Sequence, residues 1–222
     1  VIMLINGISH DVTMYRVDMH VHTTYSRADG LSTPEEVIRF AERRGMDGIA
    51  ITDHDTMEGY YASLDVKTRI AVIPGCEISS RDGHILAYNI KEAVPTSLTA
   101  LETIERIHDM GGIAVASHPL DLRRHGVGMT SFSLPFDAIE ARNGHDLFHN
   151  SDAQRLAADN GYPIIAGSDA HMAKEVGSCY TFFSNIDDFV KEIAAATTRI
   201  GGRHVSWLVM IEHGLRILKR KL

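Results

Sequence analysis

The stretch Arg16-Val17-Asp18-Met19-His20-Val21-His22 alternates apolar and polar side chains and reads as a short strand. Successive strand side chains point to opposite faces, so His20 and His22 share one face, about 7 Å apart along the chain. Two imidazoles so placed can converge on one ion, and imidazole suits Zn, Mn, Fe and Ni. An isolated pair of this kind is more often solvated, or satisfied within a core, than bound to metal. The rest of the chain changes that weighting, because histidines, aspartates and a glutamate recur at the ends of strand-like runs.

Outward from this strand, residues 23–30 form a polar loop carrying Arg27 and Asp29. A helix is expected over 34–44, opened by Ser32-Thr33-Pro34-Glu35-Glu36 and stopped at Gly45. A buried strand over 48–52 ends at Asp53-His54-Asp55, a short helix follows over 58–64, and a third strand over 70–77 ends at Glu77. Only six residues separate Glu77 from His84, too few for a parallel crossover. Residues 84–90 should therefore return antiparallel, which puts Glu77 and His84 at the same rim.

Further along, a helix over 98–110 leads to a strand over 113–117 that ends at His118-Pro119. A loop over 120–135 carries Arg123, Arg124 and His125, and a strand over 136–141 ends at Arg142-Asn143-Gly144. A helix over 146–160, a strand over 163–168 ending at Asp169-Ala170-His171, and a last strand over 179–183 follow. Helices then cover 187–197 and 204–220. Ahead of all this, Asn6-Gly7 is a hairpin turn signal, so an N-terminal arm is expected over 1–15.

Strands alternating with helices argue an α/β fold with a parallel sheet, closed into a barrel of seven parallel strands plus the antiparallel return. In such barrels the catalytic rim lies at the C-terminal ends of the strands, where every candidate ligand falls. An open doubly wound sheet is the second reading, but the glycine-rich phosphate loop that such folds often use is absent.

The chain has 222 residues and 44% hydrophobic content, enough for one sizeable core, and without repeat, low-complexity tract or linker it reads as one domain over 1–222. A net charge of −7 argues against a long nucleic acid, while a single nucleotide or short strand stays compatible. Two cysteines, Cys76 and Cys179, fit a reducing cytosol, and neither a signal peptide nor a membrane-length apolar run is visible, so a cytoplasmic location is expected. Thirteen histidines are many for this length.

Five motifs in order carry a resemblance: Asp18-Met-His20-Val-His22-Thr-Thr-Tyr-Ser with Asp29-Gly30, Thr52-Asp53-His54, Gly75-Cys-Glu77, His118-Pro119 and Gly167-Ser-Asp169-Ala-His171. Together they resemble the PHP (polymerase and histidinol phosphatase) family over residues 16–180. The resemblance implies a distorted (β/α)7 TIM-like barrel with one antiparallel hairpin strand, binding two to three divalent metal ions (Zn, Mn or Fe) for phosphoester hydrolysis. It implies one ion on His20, His22, Glu77 and Asp169, a second on Glu77, His84 and His118 with Glu77 bridging, and a third on Asp29, His54 and His171. No large insertion separates His118 from Asp169, so a cap domain is not expected.

The chemistry agrees. Carboxylates bridging imidazole-held ions about 3.5–4 Å apart make a two-metal hydrolytic site in which a metal-bound hydroxide attacks phosphorus. Ligation by nitrogen and oxygen alone suits Mn, Fe or Zn in a reactive site rather than a structural zinc finger. Protons should displace the metal below about pH 6, and activity should level off above neutrality.

Glu77, His54 and His171 are the candidate catalytic residues. Arg123, Arg124, Arg27 and Lys174 are cations on rim loops, each a phosphate clamp or simply a solvated charge. Asn143 either hydrogen-bonds substrate or turns the chain before Gly144. Asp53 and Asp18 are expected to orient a histidine or hold a strand end. His145 and His149 share a helical face and should be solvated, and His10, His108, His204 and His213 should be surface residues. The stripe Trp207, Leu208, Ile211, Leu215 and Leu218 should pack on the barrel.

The function expected is hydrolysis of a small phosphomonoester or nucleotide phosphate. Alternatives are exonucleolytic cleavage of short DNA or RNA, an amidohydrolase-type barrel without its usual bridging lysine, and a non-catalytic binding module. A small phosphorylated substrate is the expected partner, with no membrane contact.

Overall fold

The computed structural model describes residues 14–220. The Asn6-Gly7 turn, His10 and most of the expected N-terminal arm lie outside them; Tyr15 already opens the first strand.

The strands are β1 (Tyr15–Val21), β2 (Gly48–Ile51), β3 (Ala71–Ser79), β4 (His84–Tyr88), β5 (Ile113–Ala116), β6 (Ala138–Asn143), β7 (Ile164–Gly167), β8 (Cys179–Phe183) and β9 (Arg199–Gly202). The helices are α1 (Pro34–Arg43), α2 (Glu58–Ser63), α3 (Ala100–Asp109), α4 (Asn150–Asp159), α5 (Phe189–Ala194) and α6 (Trp207–Arg220). They form one sheet in the order β7-β6-β5-β4-β3-β2-β1-β8-β9. β1, β2 and β3 run parallel, as do β5, β6 and β7, and β4 is antiparallel to both its neighbours.

The sheet curls until β7 reaches β1. Val21 bridges Ala170 in parallel, and the His22 N–H donates to the Ala170 carbonyl at 2.7 Å. Glycine permits this approach, because a Cβ at Gly167 would lie 2.3 Å from that of His20. The result is the expected closed barrel with β4 reversed, but with six parallel strands where seven were expected.

Two details differ from the sequence reading. The strand at Cys179–Phe183 is neither parallel nor last: it pairs antiparallel with the N-terminal half of β1, and β9 pairs antiparallel with it. The link from β7 to β8 is short and carries only a turn of 3-10 helix at Ala173–Glu175, so no crossover is available. β8 thus wedges between β1 and β7 at the barrel's lower end, where the Ala166 N–H donates to Thr181 Oγ1 at 2.8 Å.

A single apolar cluster draws on every strand from β1 to β8, including Met19, Ala50, Ile73, Tyr88, Val115, Ala138, Ile165 and Phe183, and fills the barrel. α1 and α3 begin with reciprocal caps, Thr33 with Glu36 and Thr99 with Glu102, as Thr-x-x-Glu spacing dictates. Each helix turns its apolar side onto the sheet, Val37, Ile38 and Ala41 from α1 and Ile104 and Ile107 from α3.

The helix expected over 146–160 begins only at Asn150. Asn143 Oδ1 accepts the His145 and Asp146 N–H groups, and Asp146 Oδ1 accepts those of Phe148 and His149. Side-chain acceptors of this kind compete with the helix ladder and hold residues 144–149 as turns. His145 and His149 therefore share no helical face.

α6 also departs from expectation. Trp207, Leu208, Ile211, Leu215 and Leu218 face solvent instead of the barrel. Polar links hold the helix in place: Lys174 Nζ to Glu212 at 2.8 Å, Arg220 to the Gly30 carbonyl at 2.8 Å, and His213 to Glu175.

Candidate metal centre

β1 delivers His20 and His22 to the barrel mouth, β3 delivers Glu77, and the turn after β7 delivers Asp169. Their nearest atoms form one shell. His20 Nε2 lies 3.0 Å from His22 Nε2, 3.3 Å from Glu77 Oε2 and 3.5 Å from Asp169 Oδ1. His22 Nε2 lies 3.2 Å from the same Glu77 oxygen and 3.4 Å from the same Asp169 oxygen. Ligands held at about 2.0–2.1 Å around a tetrahedral ion are separated by about 3.3 Å. The shell therefore has the dimensions of a coordination sphere.

The other oxygen of Glu77 faces a second group. Oε1 is 3.3 Å from His84 Nδ1 and 3.1 Å from His118 Nε2, and the Ser117 hydroxyl donates to it at 2.6 Å. The antiparallel return of β4 is what brings His84 here, as the short link from Glu77 requires. A third group lies on the outer side: Asp29 Oδ2 is 3.4 Å from His171 Nε2 and 3.7 Å from His54 Nε2, while His54 Nδ1 is 3.3 Å from Glu77 Oε2. All nine residues expected as ligands meet at one mouth, with Glu77 between the groups.

Several atoms in this cluster are buried and have no hydrogen-bond partner among the described residues: His54 Nδ1, His84 Nδ1, Asp29 Oδ1 and Asp169 Oδ1. Unpaired buried polar atoms are costly, and cations held within these groups would give them partners. The residues present thus fit divalent ions, with the nitrogen and oxygen donor set that suits Zn, Mn or Fe.

Charge follows the same pattern. Burial alone would raise Glu77, but His20, His84 and His54 around it hold it well below the usual carboxylate range. Asp169 is likewise held low against burial by Arg124 and His20. Burial works to lower His54, yet Glu77 and Asp29 push it up to about 9. His171, buried and beside His22, is lowered.

The ring orientations are set from behind. His20 Nδ1 donates to Glu140 Oε1 at 3.0 Å, leaving Nε2 for the shell. His22 Nδ1 donates to Ser26 Oγ at 2.9 Å, and that hydroxyl donates to Asp53 at 2.7 Å. Asp53 thus acts on a histidine through Ser26, and also accepts from Thr23 N–H at 2.6 Å. Asp18 holds strand ends, accepting from the Ser168 and Gly177 N–H groups, and burial pushes it up to about 6. Two of the expected ligands sit at positive φ, His118 at 26° and Asp169 at 56°, where L residues are strained.

Glu140 escaped the sequence reading. It is buried, binds His20 through Oε1, and accepts the His118 N–H at 2.8 Å through Oε2. Its signal was an acid set between the buried apolar residues Ile139 and Ala141 of β6. Glu175, also missed, accepts the His171 N–H at 2.7 Å.

The four substrate-binding candidates separate. Arg124 enters the cluster: Nη2 is 2.8 Å from Asp169 Oδ2, and Nη1 is buried without a partner. Arg123 extends outward over the Phe148 ring, 73% exposed. Arg27 is 87% exposed beside Glu58 on the outer rim, away from the cluster. Asn143 is fully buried: its Nδ2 donates to Glu140 and Asp169 at 3.0 Å each, and its Oδ1 accepts two backbone N–H groups. Its amide is thus fully engaged, bracing Asp169 and Glu140. Lys174 is paired with Glu212.

Of the histidines expected at the surface, His108 and His204 are exposed, but His213 and His145 turn inward against Glu175. Together with Asp29, Asp121, Arg123, Arg124 and His171 they line a hollow of about 460 Å³ over the third group. No helix among the described residues is long and apolar enough to cross a membrane.

Residues 148–198 match a family model described as PHP-associated. The chain is 31% identical over 141 residues to an uncharacterized protein of Methanocaldococcus jannaschii, covering 59% of this chain and 82% of that one. It is 34% identical over 122 residues to the phosphoribosyl 1,2-cyclic phosphate 1,2-diphosphodiesterase of Eggerthella lenta, covering 48% of this chain and 45% of that enzyme. Among solved structures, a two-domain protein of Bacteroides vulgatus containing a PHP-like metal-dependent phosphoesterase superposes with a TM-score of 0.67 at 20% identity. That match covers 87% of this chain and 66% of the other, and it speaks to the fold.

Proposed function

The chain belongs to the PHP family, and from that premise we propose that it is a metal-dependent phosphoesterase acting on a small phosphomonoester or nucleotide phosphate. One observation carries this reading: Glu77 presents one oxygen to the His20, His22 and Asp169 atoms and the other to His84 and His118, the arrangement of a carboxylate bridging two ions.

In this reading His20, His22, Glu77 and Asp169 hold one ion, Glu77, His84 and His118 a second, and Asp29, His54 and His171 a third. Bound divalent ions supply Lewis acidity, a more acidic water and neutralisation of phosphate charge. The chain's own residues do the rest. Glu140, Asn143 and Ser26 fix the ring and carboxylate orientations, so little rearrangement is needed when substrate arrives. Arg124 is the phosphate clamp: Asp169 fixes one end of the guanidinium, and the unpartnered Nη1 is left to donate to a phosphate oxygen. Where the third corner holds no ion, a protonated His54 can give its proton to the leaving oxygen. The hollow of about 460 Å³ suits a small molecule.

The test is a panel of sugar, amino-alcohol and nucleoside phosphates, with short oligonucleotides and N-acyl amides alongside. Each is offered to metal-stripped protein resupplied with Mn2+, Fe2+ or Zn2+. Metal-dependent phosphate release from a small ester is expected. Hydrolysis that survives chelation, or turnover of amides alone, would overturn the reading; preference for oligonucleotides would replace its substrate class.

A further inference from the structure

A fourth group of converging donor atoms lies beside the three already described. Glu175 is buried, and its Oε2 accepts the backbone N–H groups of His171 and Met172 at 2.7 and 3.0 Å. Its Oε1 is buried without a hydrogen-bond partner, and so is Nε2 of His145. His213 Nδ1 stands 3.1 Å from Oε1, and His145 Nε2 stands 3.5 Å from Oε2. His145, His171 and Glu175 offer atoms that all lie within 4.8 Å of one another. Donors this close that make no aligned hydrogen bond are also what the Glu77 groups show, with the same kind of orphaned atoms.

We propose that His145, Glu175 and His213 bind a further divalent cation, of the imidazole-favouring kind represented by Zn2+, at the edge of the mouth. The carboxylate presents Oε1 toward His213 and Oε2 toward His145, and the two rings stand edge-on 5.8 Å apart, giving two nitrogens and a carboxylate. His171 does not compete for this ion: its Nδ1 donates to the Asp169 carbonyl at 2.8 Å and its Nε2 faces Asp29. Its ring stacks on that of His213 at 5.5 Å and walls the site from the third group.

The location gives the ion a task. His213 belongs to α6, which lies beyond residues 148–198 of the family model and otherwise touches the barrel through exposed polar links. His145 belongs to the turn after β6, and Glu175 to the turn that carries His171. A cation here ties the C-terminal helix to the loop of a proposed catalytic ligand and fixes one wall of the substrate hollow. This holds whatever bond the mouth breaks.

Zinc counting tests it. The purified chain is saturated with Zn2+, freed of loose ions and analysed for metal per chain. His145→Ala, His213→Ala and His213→Gln should each bind one Zn2+ fewer than the unsubstituted chain, with far-UV circular dichroism unchanged. The same single loss should appear when His213→Ala is placed on Glu77→Gln, whose mouth ions are already depleted, so the outcome does not depend on the phosphoesterase reading. Equal zinc content in all folded variants would overturn the proposal and leave a Glu175 ion pair only. If the variants do not fold, anomalous diffraction from zinc-saturated crystals of the unsubstituted chain decides: a peak at Glu175 supports the site, and its absence overturns it.

Discussion

The barrel mouth and helix α6 break the usual segregation of polar and apolar groups in opposite directions. The mouth buries carboxylates and imidazoles, with His54, His84 and Asp169 atoms left unpaired. α6 exposes Trp207, Leu208, Ile211, Leu215 and Leu218. In the mouth His20, His22 and Asp169 are supported from behind by Glu140, by Ser26 with Asp53, and by Asn143, which is how a site is held ready for a ligand. α6 has no such backing and rests on polar contacts at the rim. Substitutions should therefore be severe in the mouth, graded along its supports and slight on the outer face of the helix.

The largest effect belongs to Glu77→Gln, which weakens two proposed ion sites together. A loss of several kcal/mol of transition-state stabilisation is about a thousandfold in kcat/KM. Steady-state kinetics on a phosphomonoester checks this, and a variant within tenfold of the parent would break the contrast at its centre.

Next comes the support behind the ligands. Glu140→Gln leaves every ligand in place but alters what His20 Nδ1 donates to, so metal affinity should fall by about 10–100-fold, with the fold intact. Competition with a chelating indicator reads it; unchanged affinity would show that Glu140 is a packing residue only.

The two neighbouring arginines sharpen the comparison within one loop. Arg124→Ala should raise KM by more than tenfold because the phosphate clamp is lost, and lower kcat by less, because Asp169 keeps Asn143 and the histidines as partners. Arg123→Ala, 73% exposed, should change KM by less than about threefold, as rim charges do. Equal effects would mean that the clamp is shared.

The pH dependence follows from His54, whose folded-state value is raised to about 9 by Glu77 and Asp29 against burial. In the metal-free protein its proton stabilises the fold fully below about pH 6.5, and that contribution is lost as pH rises through about 9. An ion must displace this proton, so Mn2+ affinity for the stripped protein should climb by up to tenfold per unit between about pH 7 and 9. Calorimetric titrations across that window check it, and a flat affinity would show that His54 is no ligand. The expectation of metal loss only below about pH 6 used the free imidazole value and took no account of the acids packed around His54.

The smallest effect is expected at Ile211→Ser or Leu215→Ser on the open face of α6. Both side chains are exposed, so thermal unfolding of the isolated chain should shift by no more than about 0.5 kcal/mol equivalent. A larger loss would mean that the face is covered.

The family resemblance supplied the expected set of ligands; from the sequence by itself came the alternation of strand and helix, the shared face of His20 and His22, and the reversed strand after Glu77. Each depends on short-range rules: strand periodicity put His20 and His22 together, and a six-residue link cannot cross a sheet. Tertiary structure alone decided what lies far apart in the chain. Glu140 meets His20 across 120 residues, and nothing local to β6 announces that contact. β8 pairs antiparallel with β1 and meets β7 through Thr181 Oγ1 and the Ala166 N–H, a placement its own apolar pattern does not announce. Asn143 and Arg27, polar and near the rim in sequence, part company because closure buries one among acceptors and leaves the other in water. His213 turns inward because α6 is tied to the rim by the Lys174–Glu212 and Arg220–Gly30 links and by Glu175, and not by its own apolar stripe. Periodicity reports that a helix has two faces; which face meets the protein depends on partners that only the folded chain brings near.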